Sequence, residues 1–272
     1  MKVLFTFNGL PHYYNFVLNK LNKINNLEIA VVIPGSDVKG LGKGVHQTES
    51  DIEFKVYKLP AYKTYYRKIF FKNIKNVIKE YNPDVIVMVW PHNLALLFYP
   101  LFYFYLRLKK IKLIYKDIPF LLPKFSEGIT AKNLVMLNED LTPFELTIKK
   151  RIYFFAFSII RLLYYKLFDA HVNYVEDAYN ILPSYGVNKE KIFITYNSPD
   201  TERLEQAKNK AKSMANILKP AKQRIIHVGR LVKWKKVDLL INAISLLKDK
   251  YPEIELIVIG GGPEEKNLIK LS

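Results

Sequence analysis

The chain contains no cysteine. Disulfides, thiolate nucleophiles and Cys-ligated zinc or iron are therefore excluded, and the composition suits a reducing compartment. The 5 histidines, His12, His46, His92, His171 and His227, show no His-x3-His or similar spacing, so no metal site is expected. The lone strand histidines His171 and His227 are expected to be structural, whereas His12 and His92 follow strands and sit either at a cleft border or on the surface. No Walker loop is present. The glycine cluster from Asp37 to Gly44 has no Ser or Thr directly after its lysines and reads as a flexible loop. Long apolar runs are missing too. Val3–Phe7 is too short for a signal-peptide core, and the stretch from Val85 to Leu108 is interrupted by Pro91, His92, Asn93 and Pro100, short of the ~20 residues of a spanning helix. A cytoplasmic protein is expected, at most peripheral on the inner face of the cytoplasmic membrane. Acidic residues are scarce: 25 stand against 42 Lys and Arg, a net charge of +17. That imbalance predicts an anionic partner, which is nucleic acid, a phosphorylated small molecule or an acidic membrane surface.

What is present is enough apolar material for a sizeable core, 50% of 272 residues. Short apolar runs alternate with segments of helical period. Val3–Phe7, Ile29–Ile33, Phe54–Leu59, Val85–Val89, Leu113–Tyr115, His171–Tyr174 and Ile192–Tyr196 read as strands. Tyr13–Ile24, Tyr65–Tyr81, Leu94–Lys109, Phe144–Phe168 and Asp177–Tyr185 read as helices. The strands are apolar throughout, as expected where helices cover both faces of a mostly parallel sheet, so the fold class is α/β. After Asn197-Ser198-Pro199-Asp200 a polar helix runs from Thr201 to Leu218, followed by a break at Lys219-Pro220. Strand Ile225–Val228, helix Val237–Lys250, strand Ile254–Ile259 and a last helix near Glu264 then restart the same pattern. Two domains follow, 1–200 and 201–272.

Cations cluster unevenly. Between Glu53 and Glu80 lie eight cations and no acid, and from Thr201 to Lys236 eleven cations and two acids. Six of the eight residues from Phe98 to Tyr105 are aromatic, and eight of the 25 from Phe144 to Phe168, both segments flanked by Lys and Arg. Aromatic residues beside cations suit the headgroup zone of an anionic membrane, while a helix packed on the sheet gives the same composition. Nucleic-acid binding is disfavoured, because no RNA-binding motif accompanies the charge.

Two segments carry chemistry. In Arg224-Ile-Ile-His-Val-Gly-Arg-Leu-Val-Lys-Trp-Lys-Lys-Val a strand ends at Gly229, Arg230 follows, and a basic loop opens a helix near Lys236. Strand ends that feed helix N-termini bind anions, because unpaired backbone N–H groups point outward there. Arg230 can grip a phosphate through two donors, with Lys236 as a point charge. The second segment, Ile259-Gly-Gly-Gly-Pro-Glu-Glu, is another strand-to-helix turn.

Together these segments resemble the opening of the nucleotide-sugar-binding domain of family 4 glycosyltransferases. The resemblance covers about Arg224 to Ser272; Asp169-Ala-His through Gly186-Val-Asn-Lys to Asp200 matches the acceptor-side domain more loosely. It implies a GT-B-like fold: an N-terminal Rossmann-like acceptor-side domain plus the first βαβα part of a second, nucleotide-sugar-binding one. It implies retaining transfer from a nucleoside-diphosphate sugar to a glycan or lipid-linked acceptor in cell-surface polysaccharide or glycolipid synthesis, without a cofactor or metal. Arg230 and Lys236 fall on the family's diphosphate-binding pair, and Gly9 on its N-terminal glycine loop, where Asn8 replaces the first glycine. Gly260, Gly261 and Gly262 fall on the donor nucleotide loop. Lys116, followed by Asp117, stands where the family often has a catalytic His. Val237 replaces the glycine that usually follows the Lys. The family's two donor glutamates, separated by seven residues, lie beyond the glycine loop, and the sequence stops before them. Two expectations stay open: a longer enzyme read in part, or a shortened relative that binds a membrane or a partner without turnover.

Overall fold

The computed structural model describes residues 1–272 except 36–46, 64–68, 118–121, 132–135, 139–140, 145, 198, 215–217 and 219–220. The glycine cluster 37–44, His46 and the break at 219–220 lie outside the described residues. The chain divides into two compact units, Met1–Leu134 with Leu146–Asp200, and Val135–Glu145 with Thr201–Ser272.

The first unit contains β1 (Lys2–Thr6), α1 (His12–Asn22), β2 (Glu28–Pro34), β3 (Lys55–Leu59), β4 (Ala61–Lys63), β5 (Ile69–Phe71), α2 (Ile74–Tyr81), β6 (Val85–Met88), α3 (Ala95–Phe98), α4 (Pro100–Leu108), β7 (Lys112–Asp117) and α5 (Phe125–Thr130). After the hairpin β8 (Met136–Leu137) and β9 (Pro143–Phe144) of the second unit, it resumes with α6 (Ile148–Tyr165), β10 (Ala170–Asn173), α7 (Ala178–Ile181) and β11 (Ile192–Ile194). Seven strands form one sheet in the order β11-β10-β7-β6-β1-β2-β3, with every neighbouring pair parallel. The chain builds outward from β1 to β3, then returns to β6 and builds the other way. The gap between the carboxyl ends of β1 and β6 is therefore the topological switch point, where open α/β sheets take their ligands.

Period-two alternation sends β1 side chains to two cores. Val3, Phe5 and Phe7 join Leu18 of α1 on one face. Leu4 joins Ile78, Leu106 and Tyr164 from α2, α4 and α6 on the other. Covered on both sides, β2 keeps Ile29–Ile33 buried, which explains its unbroken apolar sequence.

Several helix boundaries differ from the sequence reading. The helices expected over 201–218 and 237–250 end at Lys212 and Leu247, and that over 177–185 is α-helical only at Ala178–Ile181. Three others have local causes. The helix expected over 65–81 begins at Ile74, because residues 69–71 pair antiparallel with 61–63 and the Lys72 N–H donates to the Pro60 carbonyl at 2.8 Å. The helix expected over 94–109 breaks at Tyr99 (φ −127°, ψ 74°). Pro100 disfavours a helical residue before it and itself opens α4. The helix expected from Phe144 starts at Ile148, where the Thr147 hydroxyl accepts from the Lys150 N–H at 3.4 Å as an N-cap.

The second unit adds α8 (Thr201–Lys212), β12 (Gln223–Val228), α9 (Val237–Leu247), β13 (Ile254–Ile259) and α10 (Glu265–Leu271). β12 and β13 pair in parallel, and Arg224 spans them to Glu255 at 2.7 Å. Its buried apolar cluster is small: Leu231, Val237 and Leu268, with Ile241 and Val258 against them. Among the described residues no helix is long and apolar enough to cross a membrane.

Candidate functional site

At the switch point of the first unit the strand ends surround a pocket of about 320 Å³, lined by Phe7, Asn8, Gly9, Tyr14, Trp90, Lys116, Asp117 and Tyr174 among others. The β1 end supplies Phe7 to Gly9, the β6 end Val89 and Trp90, the β7 end Lys116 and Asp117, and the residue after β10 Tyr174. Asn8 donates its side-chain amide to the Trp90 carbonyl at 3.0 Å, tying the two loops that flank the switch point. Gly9 makes room for the Gln47 side chain, whose Oε1 lies 2.7 Å from where a Cβ would stand.

Lys116 is the chemical centre of this pocket. Its ammonium donates to the Tyr174 hydroxyl and lies 3.8 Å from the Tyr174 ring centroid and 4.8 Å from that of Tyr14. Burial pushes Lys116 down to about 8, against the pull of the Asp117 carboxylate. Burial also raises Tyr14 and takes Tyr174 up to about 12, so both phenols stay neutral around the cation. Asp117 is the next residue along the strand, and successive side chains leave a strand on opposite sides. It borders the pocket, yet its charge adds to the burial that raises Tyr115, Tyr164 and Tyr165, the last two on α6. The structure thus groups Lys116 with Gly9 and divides Asp117 between the pocket and the α6 side.

In the second unit, the turns after β12 and β13 are laced together. The Gly229 N–H donates to the Ile259 carbonyl (2.9 Å), Leu231 to Gly261 (3.0 Å) and Glu264 to Leu231 (3.1 Å). Gly260, at φ 153°, would place a Cβ 1.8 Å from the Gly229 carbonyl oxygen, and Gly262 one 2.3 Å from that of Leu231. These two glycines are needed because backbone meets backbone. Gly261 has only the Glu265 carboxylate nearby, at 3.7 Å. Of the three glycines read as a ligand-facing loop, Gly261 alone leaves its Cα side without a backbone neighbour.

The Arg230 guanidinium lies 5.2 Å from the Trp234 ring centroid. Stacking on a ring face leaves the in-plane N–H groups directed outward, the geometry that suits phosphate. Lys236 caps α9 with φ 52°, a left-handed conformation that costs a side-chain-bearing residue about 1–2 kcal/mol. Val237 begins α9 and is buried with Leu231 and Leu268, which closes the helix start that a glycine would have left open.

The sequence reading missed Tyr14, Tyr174, Trp90 and Trp234. An aromatic directly after a strand (Tyr174) or between cations (Trp234) is a signal only once the strand ends are known. His171 is buried, its Nε2 3.0 Å from the Tyr165 carbonyl, and burial lowers it to about 4. His92, read as a cleft-border or surface residue, is instead buried at 2% exposure and stacks on Phe71 at 4.4 Å. It lies outside the Lys116 pocket, on the opposite face of the sheet with Phe71 and Met88. Among the described residues no group of three or more His, Asp or Glu is placed to hold a metal ion.

Residues 209–272 match the family model described as glycosyl transferases group 1. Over 125 residues the chain is 31% identical to an uncharacterized glycosyltransferase of Methanocaldococcus jannaschii, covering 46% of this chain and 31% of that protein. Among solved structures, the UDP-GlcNAc 2-epimerase of Neisseria meningitidis, bound to UDP-GlcNAc, is similar over 96% of this chain and 66% of its own, at 13% identity and TM-score 0.50. The UDP-N-acetylglucosamine 2-epimerase of Rickettsia bellii is similar over 99% and 64%, at 16% identity and TM-score 0.46. The chain therefore spans about a third of the archaeal relative's length. The fold is α/β and GT-B-like: a Rossmann-like unit followed by the βαβα start of another.

Proposed function

We propose that the protein belongs to a retaining glycosyltransferase of family 4. It would pass a sugar from a nucleoside-diphosphate sugar to a glycan or lipid-linked acceptor in cell-surface polysaccharide or glycolipid synthesis. The observation that carries this reading is a coincidence of place. The segment that matches the group 1 family model is the one whose two laced turns carry Arg230, Lys236 and the open Gly261. As the bond between the sugar and the diphosphate lengthens, negative charge grows on the departing phosphate. Arg230 would take two of its oxygens and Lys236 would add a point charge, the two cations carrying the task because Val237 closes the start of α9. With cations in that role the transfer needs no metal and no cofactor.

Lys116 would serve the acceptor side. With its titration near 8 it is a cation at neutral pH, but one stripped of much of its water, so a sugar hydroxyl or acceptor phosphate entering the pocket displaces little hydration. Asp117 would accept from an acceptor hydroxyl at the pocket border. A lipid-linked acceptor would bring an anionic membrane surface into the list of partners.

Titration of uridine, guanosine, adenosine and thymidine diphosphates and their sugars, with EDTA present throughout, tests the reading. At least one donor should bind, and Arg230→Ala should weaken it tenfold or more, as expected for a lost charged hydrogen bond of ~1.5 kcal/mol. Equal affinity in the variant, or binding only after EDTA is replaced by magnesium, would reject the assigned role.

A further inference from the structure

We propose that the outward face of α6 docks the protein on an anionic membrane surface. Ile148, Ile152, Phe155, Ile159 and Leu163 follow one another at steps of four, three, four and four, so they form one stripe along the helix. All five are exposed, at 77%, 62%, 49%, 37% and 52%. The buried side of α6 is a different set, Phe154, Ser158, Tyr164 and Tyr165, with Ser158 against Gly128 of α5 and the two tyrosines against Tyr115 of β7. At about 100° per residue that set lies across the helix from the stripe. A helix apolar on both sides belongs between two apolar surroundings, and only one of them is the core. From Ile148 to Leu163 the stripe is about 22 Å long, far beyond the scattered exposed side chains normal on a soluble surface.

Charge selects the occupant. Lys149 and Arg151 are exposed and project on either side of the stripe, since each lies one residue from Ile148 or Ile152 around the helix. No acidic residue occurs between Glu145 and Asp169, nor from Val85 to Lys116. α4 repeats the design: Leu101, Phe104 and Leu108, spaced three and four apart, are 78%, 59% and 84% exposed, with Lys109 and Lys110 just beyond. Tyr153, at 51% exposure, adds the amphipathic ring that prefers the headgroup level. A second copy would bring the same cations against these, which repel. Anionic lipid offers an apolar interior below the stripe and negative headgroups beside its rim, so a basic amphipathic face enters it lengthwise. The proposal deepens the glycosyl-transfer reading, since docking would present a lipid-linked acceptor; it rests on that reading only for its purpose.

Sedimentation of the full chain with vesicles tests it. Binding should be strong to equal parts phosphatidylcholine and phosphatidylglycerol, weak to phosphatidylcholine alone, and reduced by high salt. The triple variant Ile152→Ser, Phe155→Ser, Ile159→Ser should bind the mixed vesicles about a hundredfold more weakly. Its thermal midpoint should not fall, because the removed groups face water. Lys149→Ala with Arg151→Ala should lose about thirtyfold, the weight of two surface cations on an anionic leaflet. Equal binding to both vesicle types, wild-type binding by the triple variant, or a wild-type dimer that the triple variant abolishes while vesicles bind neither, would overturn the proposal. Nucleotide-diphosphate titration of the triple variant separates the two readings: docking lost with donor affinity kept supports the membrane face, and vesicle binding without any donor affinity in the wild type sinks the transferase reading alone.

Discussion

The same strand-helix-strand pattern is built twice, with opposite outcomes for its strands. In the first unit Leu4, Ala30, Val31 and Ile86 are fully buried, covered by helices on both faces of a seven-stranded sheet. In the second unit Val228 is 72% exposed, Ile226 53% and Ile259 52%, in a two-stranded sheet. Yet the second unit's turns are held by backbone hydrogen bonds between Gly229, Leu231, Gly261 and their neighbours. The geometry of a strand-to-helix turn is a local property, whereas the stability of the strands beneath it depends on how many layers cover them.

The largest expected effect breaks this comparison directly. Leu4→Ala should cost the first unit about 2–5 kcal/mol in urea unfolding, as deletion of a buried side chain does. Val228→Ala should cost less than about 0.5 kcal/mol, as for other exposed sites. Comparable losses would mean that the strands of the second unit are covered in solution. A smaller effect isolates the turns. Gly260→Ala should destabilise the second unit by about 2–3 kcal/mol, because its Cβ would meet the Gly229 carbonyl oxygen, while Gly261→Ala should leave folding unchanged. Hydrogen exchange of the β12 and β13 amides reads both. Equal protection in the two variants would refute the division of labour among the glycines.

The strands were legible from sequence for a physical reason: a strand buried on both faces is apolar at every position, and few other elements look like that. Helix starts were less legible. Nothing within 65–73 signals that residues 69–71 pair with 61–63, since a tertiary pairing outweighs the local helical period. The break at Tyr99 was readable in principle, because Pro100 restricts the residue before it. At the site, Lys116 and Gly9 entered only through the family resemblance, and the structure sets both at one pocket. The aromatic pair around Lys116 was not, because Tyr14 and Tyr174 stand far apart in sequence and meet only when β10 adds to the sheet beyond β7. The outward stripe of α6 was hidden for the opposite reason. Its aromatic residues and cations were plain, but which side met the core depended on the packing of Phe154, Tyr164 and Tyr165.

The smallest expected effect asks whether the well-covered unit keeps a destabilising charge for its site. Lys116 titrates near 8 in the folded protein and near 10.4 when exposed. Between those values the unfolded chain binds the extra proton and the folded one does not, so stability should rise with pH across about 8 to 10.5. Below pH 8 both states are protonated, and the whole cost of burying the ammonium is present. Lys116→Met should therefore stabilise the protein by on the order of 1–2 kcal/mol at pH 7, less than the full shift implies because the contacts with Tyr14 and Tyr174 are lost as well. Across that range the wild type should gain about 3 kcal/mol on the variant, so the two curves should cross between pH 8 and 10.5. On the proposed reading, acceptor-dependent transfer should fall in the same variant, the usual exchange of stability against function at a site. A constant offset between the two curves from pH 7 to 10.5 would show that Lys116 carries no burial penalty, and the aromatic enclosure would then be packing around an ordinary lysine.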